Sequence, residues 1–261
     1  MVSKSLIKYI HSLEQKKYRM REQAFVAEGP KVVGDLLSVY RPKVLVATSE
    51  WLTNHVELAN SIREKLKAEV IEASDEELCR VSFLQHPQQI LAVFEMPSSD
   101  GCHTNLNPEE QLVLALDNVQ DPGNLGTIIR IADWFGIENI VCSLGTADAY
   151  NPKVVQATMG SLARVHIIYK DLPTWLRSQP QQVPVYGTLL DGNNIYDENL
   201  SRHGIIIMGN EGNGISHEVR AAITLPLLIP NYPAGRNTAE SLNVAIATAV
   251  VCAEFRRRQI E

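Results

Sequence analysis

The chain has no pair of cysteines at metal or redox spacing. Cys79, Cys102, Cys142 and Cys252 are scattered, with no C-x-x-C, which fits reduced thiols and argues against a zinc site. The seven histidines form neither H-x-x-x-H nor H-E-x-x-H, so no metal is expected. No apolar run approaches the length of a bilayer span, and Met1-Val2-Ser3-Lys4 leads into no signal-peptide core, so a cytoplasmic protein without a membrane partner is expected. G-x-G-x-x-G and G-K-[ST] are both missing, which removes the dinucleotide fingerprint and the P-loop. There is no internal repeat and no low-complexity tract.

What is present is an ordinary globular composition: 261 residues, 45% hydrophobic and 21% charged, enough for one large domain or two modest ones. Helical spacing marks residues 3–22, 30–39, 51–67 and 75–81, alternating with short apolar runs at 25–29, 44–47, 70–71 and 90–94. Residues 1–97 therefore read as a small α/β domain, and 98–109, rich in turn formers, as a linker. Beyond it the alternation strengthens. Strands are expected at 112–116, 139–142, 165–169, 185–188, 205–208 and 225–229, and helices at 124–135, 152–159, 172–178, 215–222 and 237–258. Residues 110–261 thus read as a mostly parallel α/β domain.

The net charge of −6 speaks at first against nucleic acid. Residues 1–97, however, hold 13 Lys/Arg and 13 Asp/Glu, so the whole deficit lies beyond them. Over the first 21 residues Lys4, Lys8, Lys16, Lys17, Arg19 and Arg21 face only Glu14. Such a patch can contact phosphates even on an acidic protein; a solvated helix face is the other reading. Lys16, Lys17, Arg19 and Arg21 are the candidate RNA contacts.

Three loops following apolar strands carry the polar groups. The first runs from Leu116 through Asp121-Pro122-Gly123-Asn124 to Arg130, a Pro-Gly turn opening a helix. In the second, Ile205-Ile206-Ile207-Met208 enters Gly209-Asn210-Glu211-Gly212-Asn213-Gly214, where exposed N–H groups suit a polar ligand. The third follows 225–230, a run expected to be a strand buried on both faces. Its polar loop leads to Asn237 and Glu240, spaced as a capping box, and then to Ser241-Leu242-Asn243. Each loop alone could be a plain turn. Their strand exits can converge on one crevice.

N-x-G-x-x-x-R (Asn124, Gly126, Arg130), G-N-E-G-x-G-I-S (209–216) and I-P…E-S-L-N-V (229–244), in this order, resemble the three motifs of the SpoU/TrmH branch of SPOUT RNA methyltransferases. KYIHSLEQKKYR…FVAEGPKVV, VLVAT and LAVFEMP resemble the family's ribosomal-protein-like RNA-binding domain, so the likeness spans essentially the whole chain. It implies an α/β architecture with a C-terminal trefoil knot, an exception to the rule against threaded chains. It also implies a homodimer, S-adenosylmethionine as methyl donor, and an RNA ribose 2′-hydroxyl as acceptor, with ribosomal RNA favoured over transfer RNA. Carried over by motif, Asn124, Arg130, Glu211, Ser241 and Asn243 match the catalytic positions, and Thr188, Gly209, Ile229 and Leu242 match the methyl-donor pocket.

The chemistry asks chiefly for in-line positioning and for removal of one proton. The family's proposed base is Arg130, but a guanidinium gives up its proton at great cost. Phosphate binding or alkoxide stabilisation suits it better. Ala245, Asn231 and the 232–239 loop depart from the family pattern, and substrate choice is expected to lie there. A non-catalytic RNA-binding protein of the same fold would not need all five polar residues. An NAD-dependent oxidoreductase is disfavoured by the missing G-x-G-x-x-G.

Overall fold

The computed structural model describes residues 1–97, 106–233, 236 and 239–258; Asn237 and most of the expected linker lie outside them. The chain divides into two compact units, Met1–His103 with Asp148–Ala163, and Thr104–Ala147 with Arg164–Glu261.

The first unit runs α1 (Lys4–Ser12), α2 (Lys16–Glu22), β1 (Ala24–Glu28), α3 (Pro30–Leu36), β2 (Pro42–Ala47), α4 (Ser49–Asn54), α5 (Val56–Glu64), β3 (Glu69–Glu72), α6 (Asp75–Val81) and β4 (Ile90–Glu95). Its sheet has the order β1-β4-β2-β3, with β4 antiparallel to both neighbours and β3 parallel to β2. Ile10 and Leu13 of the first helical stretch and Leu78 and Val81 of α6 pack onto Val26, Val46, Leu91 and Val93. The start of α6 follows from local chemistry. Ser74 and Glu77 form a reciprocal capping box, and their bonds satisfy two otherwise unpaired N–H groups.

Two expected helices are broken. The 3–22 stretch divides into α1 and α2 because Arg19 Nη1 donates to the carbonyls of Leu13 (2.8 Å) and Glu14 (2.6 Å), capturing acceptors that a continuous helix would use. The 51–67 stretch breaks at His55, whose ring stacks on Trp51 and bonds its carbonyl at 2.9 Å.

The second unit begins β5 (Leu112–Leu116), α7 (Pro122–Trp134), β6 (Asn139–Ser143). The chain then contributes α8 (Pro152–Ala157) and a 3-10 turn to the first unit. There Phe25 of β1 meets Tyr150 at 4.9 Å between ring centroids. It resumes as β7 (His166–Lys170), α9 (Leu172–Arg177), β8 (Val185–Asn194), β9 (Gly204–Met208), α10 (His217–Arg220), β10 (Leu225–Leu228) and α11 (Val244–Arg257). The sheet is wholly parallel, in the order β10-β8-β9-β5-β6-β7. β5, β6 and β9 are buried throughout, as central parallel strands covered on both faces must be.

The third motif stretch differs from expectation at both ends. β10 is an edge strand bonded only to β8 and is largely half-buried, so it is not covered on both faces. Residues 240–243 are not helical. α11 starts at Val244, because Asn243 has non-helical backbone and its side chain accepts from the N–H groups of Ala245 and Ile246. β8 is longer than expected. Its ladder to β10 pairs Pro226 with Gly187 and then Leu227 with Asn193, so residues 188–192 are pushed out of register as a bulge.

α11 is tied down at its C-terminal end. Arg256 Nε donates to Phe135 O at 2.7 Å, and Arg258 reaches Glu198 O and Tyr196 O, both at 2.5 Å. Buried Glu254 pairs with Arg257 (2.8 Å) and Arg258 (2.7 Å). The Arg257 hydrogen bond, then that of Arg258, holds its carboxyl down at about 2, against an ordinary 4.5. A depressed carboxylate adds stability that is present above its unfolded-state value and is lost as pH falls through the folded one. Glu254→Gln is therefore expected to lower the Tm by several degrees near neutral pH. The gap should close as pH falls from 4.5 toward about 2, and thermal melts across that range check it.

Candidate active site

The loop after β5 is fastened before any catalytic group appears. Asp117 is buried, and its Oδ2 accepts from the Ser216 N–H at 2.7 Å. Asp121 caps α7 by accepting from the Asn124 N–H at 2.7 Å, and Pro122 sits in the first turn, where no N–H is needed. The Asn124 side chain is therefore delivered from a pinned first turn.

The loop after β9 is shaped by Gly209 and Asn210. A Cβ on Gly209 would lie 2.4 Å from the Gly214 carbonyl carbon and 2.5 Å from the Ile215 nitrogen, so only glycine lets this loop fold back on itself. Asn210 Oδ1 accepts from the N–H groups of Gly212 and Asn213, both at 2.9 Å. Its Nδ2 donates to Asn118 O at 2.7 Å. Asn210 thus shapes its own loop and fastens it to the loop after β5. It was absent from the expected site. The available signal was an Asn at the head of a Gly-rich turn, where its side chain mimics backbone.

The three motifs meet at Asn124. Its Nδ2 donates to Glu211 Oε1 at 2.9 Å, and its Oδ1 accepts from Asn243 Nδ2 at 2.9 Å. Asn243 spends its oxygen on the N-terminus of α11 and its amide nitrogen on Asn124. One side chain therefore starts a helix and closes the site. Arg130 lies further along α7, exposed, and Ser241 is exposed beside Leu242. Among the described residues neither side chain is hydrogen-bonded or ion-paired. Both project from the cluster rather than join it.

Three of the four expected methyl-donor residues lie in or just after neighbouring strands, and the fourth, Leu242, lies just before α11. Gly209 follows β9, Thr188 opens the bulge of β8, and Ile229 follows β10. Thr188 Oγ1 donates to Ile207 O at 3.0 Å, joining the bulge to β9. Ile229 is half-buried and Leu242 is 52% exposed. This is an apolar surface beside backbone groups, the chemistry that an adenosyl group requires. Among the described residues no cluster of His, Cys, Asp or Glu could hold a metal. The buried thiol of Cys252 is pushed up to about 12 and that of Cys142 higher still, so neither is a nucleophile near neutrality.

In the first unit the basic patch divides. Lys16, Lys17 and Arg21 are exposed, and Lys17 and Arg21 lie over the Tyr18 ring at 4.8 and 4.9 Å. Arg19 does not belong with them. It is 1% exposed and its Nη2 pairs with Asp148 at 2.5 Å, so every face of its guanidinium is taken up inside the unit.

Comparison with known proteins places the chain in a family. Residues 111–253 match the model of the SpoU rRNA methylase family, and residues 4–92 match an MRM3-like substrate-binding domain. The chain is 33% identical over 251 residues to the 23S rRNA (guanosine(2553)-2′-O)-methyltransferase RlmP of Bacillus subtilis, covering 94% of this chain and 93% of that one. A TrmH-family protein of Porphyromonas gingivalis superposes with a TM-score of 0.84 at 45% identity over 99% of both chains. An rRNA methyltransferase of Sinorhizobium meliloti with AdoMet bound superposes with a TM-score of 0.85 at 31% identity, covering 100% of this chain and 98% of that one.

Proposed function

The chain belongs to the SpoU rRNA methylase family and is an S-adenosylmethionine-dependent RNA 2′-O-methyltransferase; we propose that its substrate is ribosomal RNA and that the Asn124 cluster is its catalytic centre. The observation that carries the reading is the meeting of Asn124, Glu211 and Asn243, residues from three separated motifs, through two 2.9 Å bonds. The rRNA activity of the RlmP relative, over nearly its whole length, supports the choice of ribosomal over transfer RNA.

The methyl donor, when bound, supplies an activated methyl group on a sulfonium. Thr188, Gly209, Ile229 and Leu242 are the residues that would hold it. What remains for the protein is to bring a ribose hydroxyl into line and to favour the alkoxide. Asn124, held from both sides, fixes Glu211 and the start of α11 relative to one another. Arg130 is free to hold an RNA phosphate or the developing alkoxide with its planar fork of donors. Ser241 is exposed between Glu240 and Leu242, two residues before Asn243. Lys16, Lys17 and Arg21, with Tyr18 between them, offer phosphate contacts and an aromatic face to RNA.

We further propose a homodimer working in the cytoplasm. Leu242 just before α11 and Ile246 in its first turn are 52% and 54% exposed, and Trp134 at the end of α7 is 84% exposed. Large apolar groups at the end of α7 and around the start of α11 suit burial by a second copy. Among the described residues no helix is long and apolar enough to cross a membrane.

The test is methyl transfer in vitro. The protein is incubated with methyl-labelled S-adenosylmethionine and either deproteinised ribosomal RNA or transfer RNA, and the digested nucleosides are identified by mass spectrometry. The expected product is a 2′-O-methylnucleoside from ribosomal RNA. A labelled base, or label in transfer RNA alone, would count against the reading.

A further inference from the structure

In an open parallel sheet, ligands bind outside the carboxyl ends of the strands where the strand order reverses. Here β5, β6 and β7 run outward in one direction, and β8 returns to the far side of β9. The methyl-donor residues lie in the bulge of β8 and beyond the ends of β9 and β10. A separate cleft of about 280 Å³ opens among the loops after β5, β6, β7 and β9. None of Thr188, Gly209, Ile229 or Leu242 lines it.

The cleft is held in shape from below. Asn118 adopts a left-handed backbone, φ +56°, with its N–H donating to Ser143 Oγ at 2.9 Å and its Nδ2 to Asp117 Oδ1 at 3.0 Å. The loop after β6 lies so close that a Cβ on Gly145 would stand 2.1 Å from Asn118 Oδ1. Part of its wall is apolar, formed by buried Val219 and Leu172, by Pro173 and by Leu144, itself 67% exposed. The Asp117 and Asp171 carboxylates line it too, but each is already taken up, Asp117 by Ser216 N–H and Asn118 Nδ2 and Asp171 by the Thr174 N–H. The Lys170 ammonium and the Glu218 carboxylate also line it. Both are exposed and neither is ion-paired with a described residue.

A slot with an apolar wall, an ammonium and a carboxylate that no described residue pairs has the chemistry of a nucleotide site: wall for the base faces, carboxylate for an exocyclic amino group, ammonium for a phosphate. The slot also shares a part with the catalytic loops. The Asn118 carbonyl accepts from Asn210 Nδ2 at 2.7 Å, and Asn210 immediately precedes Glu211. We propose that this cleft is a subsite for an unpaired nucleotide of the substrate RNA near the methylated one, a reading that rests on RNA being the substrate. Leu144 and Pro173 take the base, Glu218 its amino edge and Lys170 its phosphate. A second nucleotide held there adds binding without touching the reacting atoms.

The test compares wild type with Leu144→Ala and Lys170→Ala, both exposed positions where folding is not at stake. Fluorescein-labelled RNA octamers of A, of C and of U, and the free nucleoside monophosphates, are titrated by anisotropy and competition; S-adenosylmethionine is titrated by calorimetry. At least one octamer is expected to bind, each variant to weaken it about ten-fold, and the methyl-donor Kd to stay unchanged. In the ribosomal RNA methylation assay the KM for RNA should rise by a similar factor while kcat holds. The proposal is overturned if no octamer binds, if the variants bind like wild type, or if a monophosphate competes at the octamer's own concentration, which would make the cleft a free-nucleotide site. Wild type that methylates RNA beside cleft variants that do so equally well overturns the subsite alone. Wild type that methylates no RNA overturns the functional reading.

Discussion

Arg130→Ala is expected to cut methyl transfer to RNA by about 10²–10³-fold, the scale of losing one preorganised charge donor at a developing oxyanion. Binding of S-adenosylmethionine and thermal stability should hardly change. Arg130 is exposed on α7, about 9 Å along the helix axis from Asn124 by the rise per residue, and among the described residues nothing pairs with it. Its removal takes no packing from the core, so a large kinetic loss can only come from the substrate side. Arg130→Lys separates the two readings of its role. A lysine keeps the charge but not the planar fork, so a substantial loss is expected there too. Single-turnover transfer from labelled S-adenosylmethionine measures both variants. Near-normal transfer by Arg130→Lys would remove the fork-specific role.

Arg19→Ala should be the most destabilising change in the first unit, by about 3–5 kcal/mol, the usual consequence of leaving half of a buried ion pair behind. At about 2–4 °C per kcal/mol for a chain of this size, the Tm should fall by roughly 10 °C. Arg19 Nε and Nη2 both donate to Asp148 Oδ2, at 3.1 and 2.5 Å, while Nη1 holds the Leu13 and Glu14 carbonyls. The substitution strands a carboxylate whose side chain is only 14% exposed. It also frees the segment that carries Asp148 from α2. Removing both charges, as in Arg19→Met with Asp148→Leu, is expected to be less harmful than either single change. Urea denaturation measures all of these. A residue contacting RNA from the surface would give the opposite pattern, with unchanged stability and a shallower salt dependence of RNA binding.

Arg19 shows where reading a sequence runs out. Its spacing among Lys16, Lys17 and Arg21 is that of a basic patch, and its partner Asp148 is 129 positions away. No local pattern announces a pairing of that range. The break between α1 and α2 was hidden for the same reason, since it depends on where Arg19 points. Elements governed by their own residues were legible. Helical spacing over 75–81 marked α6, and the five apolar residues of β5 stood out between polar neighbours. β10 looked like a central strand because its composition is apolar, yet its place at the sheet edge is decided by strand order. The site behaved likewise. Asn124, Glu211 and Asn243 could be named from motif resemblance, and the structure adds that they bond to one another. Asn210 was passed over because its work is to hold two loops together, which only the fold makes visible. The helix expected from residue 237 begins at Val244 instead, because Asn243 turns its side chain back to cap it.

The most direct measurement is a mass-spectrometric map of 2′-O-methylated nucleotides in the ribosomal and transfer RNA of a strain lacking this gene. The account predicts that one ribose methyl mark disappears from ribosomal RNA, returns with the wild-type gene, and fails to return with Asn124→Ala. An unchanged ribosomal RNA map, or a mark lost only from transfer RNA, would contradict it.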